Sequence, residues 1–461
     1  MKRNLILQKC IVCLITLIVT SCSITKSYQS QNINLKGLYR DINTTDTVTI
    51  ANLHWKDIFT DTLLQKLINT GINQSPDLQS AYSRIRQAAA YYEQSRLQFF
   101  PSLDGNATTT YASSSNPQAI GKSVTGQQYQ ATLVTSWEAN IWGKLKSTKR
   151  ANLASMLQAT ANARVVQTSL VANIAANYYT LLSLDQQLLI TQQSVKNWQT
   201  TVDVMKDLKK ANIVTAAAVV QSEASKYAVS VTIPTLKQNI RETENQLNLL
   251  IGNSSGPIDR TTLDSQQSIS LLQTGVPTQL LANRPDVQAA EYNLRYYFEM
   301  TNVARTYFYP SFTISASAGY TSLSSFFGTG TWLGNLVMGL SQPIFDQGTN
   351  RTRLRVAHEQ QQQAALNFKS ALLTAGKDVS NAIYSYQMAS EKATDRNLQL
   401  NNLEKSVEYT QQLVRNGYAN YTEVLTAQQS LLVTQLNKVN DKLQQLQAIV
   451  YLYQALGGGW K

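Results

Sequence analysis

The chain has 461 residues, 43% of them hydrophobic and 15% charged, and a formal net charge of +12. Its cations are dispersed rather than blocked, which favours a solvated surface over a nucleic-acid face. Three cysteines and two histidines, His54 and His358 far apart, give neither a disulfide framework nor metal-ligand spacing. No stretch after the N-terminus approaches the roughly 18 apolar residues of a membrane-crossing helix.

Lys2 and Arg3 form a basic n-region and Cys10 to Val19 a short apolar h-region, so residues 1–21 read as a signal peptide. Val19-Thr20-Ser21-Cys22 resembles a bacterial lipobox with cleavage before Cys22; a plain secretory signal with a chance cysteine is the alternative. Lipidation of Cys22 would supply several acyl chains and lasting membrane anchorage. Cys10 and Cys13 leave with the leader, and loss of Lys2, Arg3 and Lys9 lowers the net charge from +12 to +9. An exported chain without disulfides must be held by its packed core or by oligomerisation.

Residues 22–54 are polar and non-periodic, a tether and extended lead-in. Helical spacing begins near Trp55 and continues through Phe59, Leu63, Leu67 and Ile68. Ser75 before Pro76 suits an N-cap followed by a first-turn proline, and the next helix runs to about Phe99. A strand pair occupies 103–141. In Gln128 to Ile141, Tyr129, Ala131, Leu133, Thr135, Trp137, Ala139 and Ile141 alternate with Gln128, Gln130, Thr132, Val134, Ser136, Glu138 and Asn140, a period of two. A helix from Lys144 to about Lys206 lacks both Pro and Gly, and a return helix spans Thr215 to Ile251. Residues 252–281 are a loop-rich lateral segment.

The pattern then repeats. Pro76-Asp77-Leu78 returns as Pro285-Asp286-Val287, an offset of 209, and Phe100-Pro101-Ser102-Leu103 returns as Tyr309-Pro310-Ser311-Phe312. The second strand pair covers 311–345, where Phe312, Ile314, Ala316, Ala318 and Tyr320 alternate with polar residues. A helix from Asn350 to about Arg415 follows, then a return helix to Leu456. Its seam of Leu354, Ala357, Ala364, Phe368, Ala371, Ala375, Val379, Ala382, Tyr386 and Ala389 has coiled-coil spacing, with alanines that permit close approach. The chain thus divides into a first repeat at 55–251, with its helix pair at 144–251, the lateral segment, a second repeat at 282–456, with its helix pair at 349–456, and a tail at 457–461.

A soluble sandwich also shows one apolar and one polar face. Two details favour a membrane barrel: the strands approach the roughly 9–11 residues of a tilted span, and Trp137, Trp142, Trp332 and Phe345 lie toward strand ends, as an aromatic girdle requires. One chain offers four strands, too few to close a barrel alone, so the edges demand further copies.

Three stretches carry a family resemblance. Leu281-Ala282-Asn283-Arg284-Pro285-Asp286-Val287 with Ala290-Glu291, Pro343-Ile344-Phe345-Asp346-Gln347-Gly348, and Tyr451-Leu452-Tyr453-Gln454-Ala455-Leu456-Gly457-Gly458-Gly459-Trp460 resemble, in order, motifs of the TolC-like outer membrane factors, the last one their lipoprotein branch. The resemblance implies a homotrimer whose strands form a twelve-strand β-barrel in outer-membrane lipid, continued by a coiled-coil α-helical tunnel across the periplasm of a Gram-negative cell. It implies a passive exit duct for small molecules, with a periplasmic adaptor and, beyond it, an inner-membrane pump of the RND type. It implies no cofactor; the absence of a metal-ligand spacing, phosphate loop or nucleophile elbow argues against catalysis, and the dispersed charge against a nucleic-acid partner. A protein-secretion or metal-efflux duct is the near alternative, and a lipid-anchored coiled-coil scaffold the distant one. By the same resemblance, Asn212, Ile213, Val214, Thr215 and Gly417, Tyr418, Ala419, Asn420 are the adaptor-contacting turns. The periplasmic aperture falls on Glu423 and Thr426, of which only Glu423 is acidic, with Ala218 and Gln221 at the matching first-repeat positions. A solvated helix-face glutamate is the plain alternative. Phe326 and Phe327 either narrow the outer mouth or pack their own loop.

Overall fold

A computed structural model describes residues 24–30, 38, 53–113, 125–266 and 283–460. The expected signal peptide, Cys22, most of the expected lead-in, the middle of the first strand-pair loop and residues 267–282 lie outside the described residues. The elements in order are α1 (Trp55–Ile58), α2 (Thr62–Gln74), α3 (Pro76–Leu97), β1 (Ser102–Ser113), β2 (Thr125–Glu138), α4 (Lys144–Lys210), α5 (Ala216–Ser230), α6 (Thr232–Leu250), α7 (Pro285–Thr306), β3 (Ser311–Ser322), β4 (Gly330–Ser341), α8 (Thr349–Arg415) and α9 (Tyr421–Ala455). The repeats keep their lengths: α3 and α7 each have 22 residues, and α4 and α8 each have 67. A helix of 67 residues extends about 100 Å.

The chain forms two compact units, and neither is a repeat. Each unit draws on both repeats, so the duplication interleaves rather than making tandem domains.

The first unit combines the strands with residues 84–101 and 289–310 and the opening turns of α4 and α8. Its sheet is antiparallel in the order β1-β2-β3-β4, so β1 and β4 each keep one unpaired edge. Register makes the sheet two-faced. Phe312 pairs with Leu340, Ile314 with Met338, Ala316 with Leu336 and Tyr320 with Trp332. Across β2, Trp137 pairs with Ile314 and Leu133 with Ala318. Paired residues share a face, so these side chains form one apolar surface. Ser315, Ser317, Thr321, Asn335, Ser136, Thr132 and Gln130 fall on the other, interrupted by Val134, Leu333 and Val337. β2 stops at Glu138 rather than Ile141. Asn140 accepts from the Leu145 amide at 2.9 Å, and Gly143, at φ +81, turns the chain into α4.

The N-terminal residues lie along α7 in the same unit. The Lys26 amide donates to Asn302 Oδ1 at 3.1 Å, Asn302 Nδ2 returns a bond to the Lys26 carbonyl at 2.9 Å, and Tyr28 meets Phe298 edge-on. Arg150 ties α4 to α7 through the buried Glu299, with contacts of 2.7 and 2.8 Å.

The second unit is helical. The helix expected from Trp55 onward is broken after Ile58, because Asp61 accepts from the Leu63 and Leu64 amides and caps α2 as a new helix. The first return helix is likewise broken at Val231. Pro234 has no amide to give the Ser230 carbonyl, and its ring crowds that carbonyl; α5 ends there and α6 begins. The second return helix, α9, runs unbroken for 35 residues. Within this unit the expected seam of α8 is buried at Ala375, Val379, Ala382 and Ala389, as it is at Ala357, Ala364 and Phe368 in the first unit.

Each repeat closes on itself by the same device. Gly252 follows α6 at φ +77, and a Cβ there would stand 2.6 Å from the Gln74 carbonyl oxygen, just before α3. Gly457 follows α9 at φ +89 against the carbonyl of Asn283, just before α7. Only glycine meets both demands without strain. The second clasp is richer. Arg284 is 8% exposed; it donates to both oxygens of Asp286 at 2.9 and 2.6 Å and to the Ala455 carbonyl at 3.0 Å. Trp460 donates to the Asn283 carbonyl at 3.1 Å while Arg164 stacks on its ring. The Arg-Pro-Asp and Gly-Gly-Gly-Trp motifs are therefore two halves of one joint, and Gly457 to Trp460 are part of it.

The lateral segment is pinned by two polar nodes in the same unit. Asp61 Oδ2 accepts from Tyr178 at 2.9 Å, Thr261 at 2.5 Å and Gln266 at 2.8 Å. Arg260 bridges Asp185 and Glu244, both at 2.5 Å.

Candidate functional site

Two hairpin ends in the helical unit hold the residues assigned to the adaptor-contacting turns. Both helices stop by the same motif. Asn212 takes φ +60, and the Ile213 amide reaches back to the Leu208 carbonyl at 2.9 Å; Gly417 takes φ +76, and the Tyr418 amide reaches the Leu413 carbonyl at 2.9 Å. These six-to-one bonds satisfy carbonyls that a helix end leaves open. Ile213 and Tyr418 are exposed, Tyr418 at 81%, while Val214 and Ala419 pack inward.

The two returns then diverge. Thr215 precedes α5 and makes no side-chain cap. Asn420 caps α9 by accepting from the Thr422 amide at 3.1 Å, and Glu423 Oε1 accepts from the Asn420 amide at 3.4 Å, completing a capping box. Glu423 and Thr426 both remain exposed. At the matching first-repeat place Ala218 is 0% exposed, in a cluster with Met205, Val219, Val414 and Val424 that joins the hairpins. Glu423 thus has a structural task beside any electrostatic one, and Asn420-x-x-Glu423 was the sequence signal for it. Deeper in, Thr201 and Gln428 exchange buried hydrogen bonds of 2.8 and 3.2 Å between the hairpins.

In the strand unit, the apolar face carries aromatic side chains at both ends of its strands. Tyr320 and Trp332 meet at 5.7 Å between ring centroids with Tyr129 nearby in register at one end; Phe312 and Trp137 lie at the other. Sequence reasoning named Trp137 and Trp332 for this girdle and passed over Tyr129, Tyr320 and Phe312, though the same alternation contains them. Its other two choices stand elsewhere. Trp142 lies four residues beyond β2, bound through its indole to the Pro310 carbonyl at 2.6 Å. Phe345 lies beyond β4 and is exposed. Phe326 leans on Tyr129 at 5.1 Å, whereas Phe327 is 99% exposed at the tip of its loop.

A two-faced open sheet continued by paired long helices defines the subunit of an outer-membrane channel, which adds strands to a β-barrel and arms to a helical tunnel. The chain belongs to the outer membrane efflux protein family, whose pattern matches residues 67–253 and 276–458. It is 27% identical over 409 residues to the probable outer membrane lipoprotein SilC of Salmonella typhimurium, covering 88% of each chain. It is 28% identical over 428 residues to the toluene efflux pump outer membrane protein TtgF of Pseudomonas putida, covering 92% of this chain and 88% of that one. A solved structure of CusC superposes with a TM-score of 0.84 at 25% identity, covering 95% of this chain and all of the other. The protein is an outer-membrane efflux channel, and the family is one of channels rather than enzymes.

Proposed function

We propose that three copies of this chain form the closed duct, and that it carries small molecules handed over by a periplasmic adaptor and an inner-membrane pump. The observation that carries the reading is the open four-stranded sheet with one apolar face. In lipid, unpaired strand edges leave backbone groups unsatisfied, and closure through further copies removes them. Twelve strands from three chains give a barrel with the polar face toward the lumen. The exposed Ile213 and Tyr418 turns suit the adaptor contact.

Cys22 is the proposed lipid anchor. Thr25 lies against Gly143, beside the strand end that carries Trp137, and three residues reach at most about 11 Å. A lipid on Cys22 would therefore meet the bilayer near the strand ends that carry Phe312 and Trp137. The small-molecule reading draws support from TtgF, named for toluene. A largely uncharged polar sheet face selects weakly, which suits a general duct.

Purified mature protein in a planar bilayer should give discrete conductance steps and a trimer mass in detergent. A monomer without conductance would exclude the duct and leave the scaffold. Mass spectrometry should find the acyl groups on Cys22 in membrane-extracted protein, and an unmodified N-terminal residue would rule out the anchor.

A further inference from the structure

Where the sheet of the first unit meets its helices there is a hollow of about 390 Å³. Glu138, Ser311 and Ser341 line it, and register puts all three on the polar face of the sheet. In the duct reading, on which this inference rests, the hollow opens to the lumen. Trp142 and Tyr309 form one wall, their ring centroids 5.2 Å apart at 35°. Tyr307 is held between two cations, with Arg353 at 3.9 Å and Lys144 at 5.1 Å from its centroid.

The charges in the hollow are not equally available. Lys144 holds both oxygens of Glu138, at 3.1 and 2.9 Å. Asp346 spends its oxygens on the Gly348 amide at 3.1 Å and the Asn350 amide at 2.8 Å. Both carboxylates are thus committed to the protein. Arg353 is exposed and donates through one nitrogen to Asn350 Oδ1 at 2.6 Å. Among the described residues its Nε and second terminal nitrogen make no hydrogen bond, which leaves planar N–H donors of the kind that grip a carboxylate or sulfonate in two bonds. An aromatic wall beside a guanidinium with spare donors matches one class of solute, a planar ring bearing an acid group.

We propose that this hollow is a binding station for anionic aromatic solutes moving through the duct, with the acid group on Arg353 and the ring against Trp142 and Tyr309. A rigid anchor of this kind retains one solute class briefly without closing the path to others.

The test is single-channel recording with 2-naphthoate added on the helical side, against 2-naphthol and 2-naphthylmethylammonium as neutral and cationic matches. Naphthoate should shorten or reduce the open current more than either match. Arg353→Gln should weaken that block about tenfold, the scale of a lost charge-assisted pair, and Arg353→Lys should restore part of it. Naphthoate should quench tryptophan fluorescence in the wild-type chain and less so in Trp142→Phe. Equal block in Arg353→Gln, or stronger block by the ammonium compound, overturns the proposal while leaving the duct intact. Absence of any conductance in the wild-type chain removes the duct and this station with it.

Discussion

The two repeats share a backbone and differ in what their side chains do with it. Both have a 22-residue entry helix and a 67-residue long helix. Both close with a positive-φ glycine pressed on the carbonyl before Pro76 or Pro285, and both hairpins end in the same six-to-one bond. The differences gather at three places. The residue before the proline is Ser75 in one and the multiply bonded Arg284 in the other. The return helix is broken at Val231 in one and continuous in the other. The third residue of the return helix is a buried alanine in one and an exposed, capping glutamate in the other. Duplication supplied equivalent arms, and sequence divergence then made the two ends of the pair inequivalent. In the duct reading, that inequivalence would let the two helix pairs take different positions at a closing aperture.

The largest effect should come from forcing the ends to match. Ala218→Glu would put the second repeat's carboxylate into the apolar cluster with Met205, Val219, Val414 and Val424. An unpaired charge in such a place costs about 3–5 kcal/mol. Local unfolding of the hairpin end should follow, seen as faster hydrogen exchange in 205–219 with the strands unaffected. Unchanged exchange there would mean that the cluster does not join the hairpins.

The clasps come next. Gly457→Ala meets both a positive φ and the Asn283 carbonyl, and Gly252→Ala meets both a positive φ and the Gln74 carbonyl. Each should lose about 2 kcal/mol or more, from left-handed strain together with overpacking. Thermal melts of the two variants should fall together. If only Gly457→Ala falls, the closure is a property of the second repeat and the symmetry of the clasps is geometric only.

Much of this was legible in the chain because it is carried by periodicity. The strands announce themselves by a period of two that survives register pairing, so that Ile314 and Met338 fall on the face the alternation implies. The long helices announce themselves by the absence of Pro, by the absence of Gly from the first and its restriction to Gly376 in the second, and by an alanine seam that is in fact buried. What went unseen depends on contacts far apart in sequence. The joint between Arg284 and Gly457 spans the whole second repeat, and no local pattern reports it. The break at Val231 is a different case, since Pro234 stood in view and an apolar rhythm across it concealed the interruption. The end of β2 was read too far along because the alternation runs past Glu138, where Asn140 and Gly143 already turn the chain.

A smaller, pH-dependent effect separates the repeats again, because among the described residues the Asp61 node is found on the first only. Burial pushes the Asp61 carboxyl upward, but hydrogen bonds from Thr261, Gln266, Tyr178 and the Leu63 amide outweigh it and hold the group below the ordinary carboxylate range. Burial also pushes the Tyr178 hydroxyl up to about 12, so it stays a donor. A carboxyl lowered by folding contributes stability that is complete above its unfolded value of about 3.9 and fades as pH falls through its folded one. Wild-type protein should therefore melt higher than Asp61→Asn at neutral pH, with the gap narrowing on acidification below about pH 4. A gap that stays constant would show that the node is held by shape rather than by charge.

The smallest change in stability should carry the sharpest functional information. Glu423→Gln keeps a side chain that can complete the capping box with Asn420, since glutamine serves there as well as glutamate. It removes only the charge. Glu423→Ala removes both, at a cost of about half a kcal/mol. If carboxylates from three chains form a ring at the aperture, block of the current by cations should weaken equally in the two variants, because a ring of like charge concentrates cations whatever it does for the helix. If Glu423 serves only its helix, Glu423→Gln should behave as wild type in both melting and block, and Glu423→Ala should differ from it in melting alone. The first repeat supplies an internal control: Gln221 is exposed and neutral, and accepts a bond from Tyr421 at 3.4 Å. Gln221→Glu should add cation block at that position only if the aperture brings this face of α5 to the lumen as well.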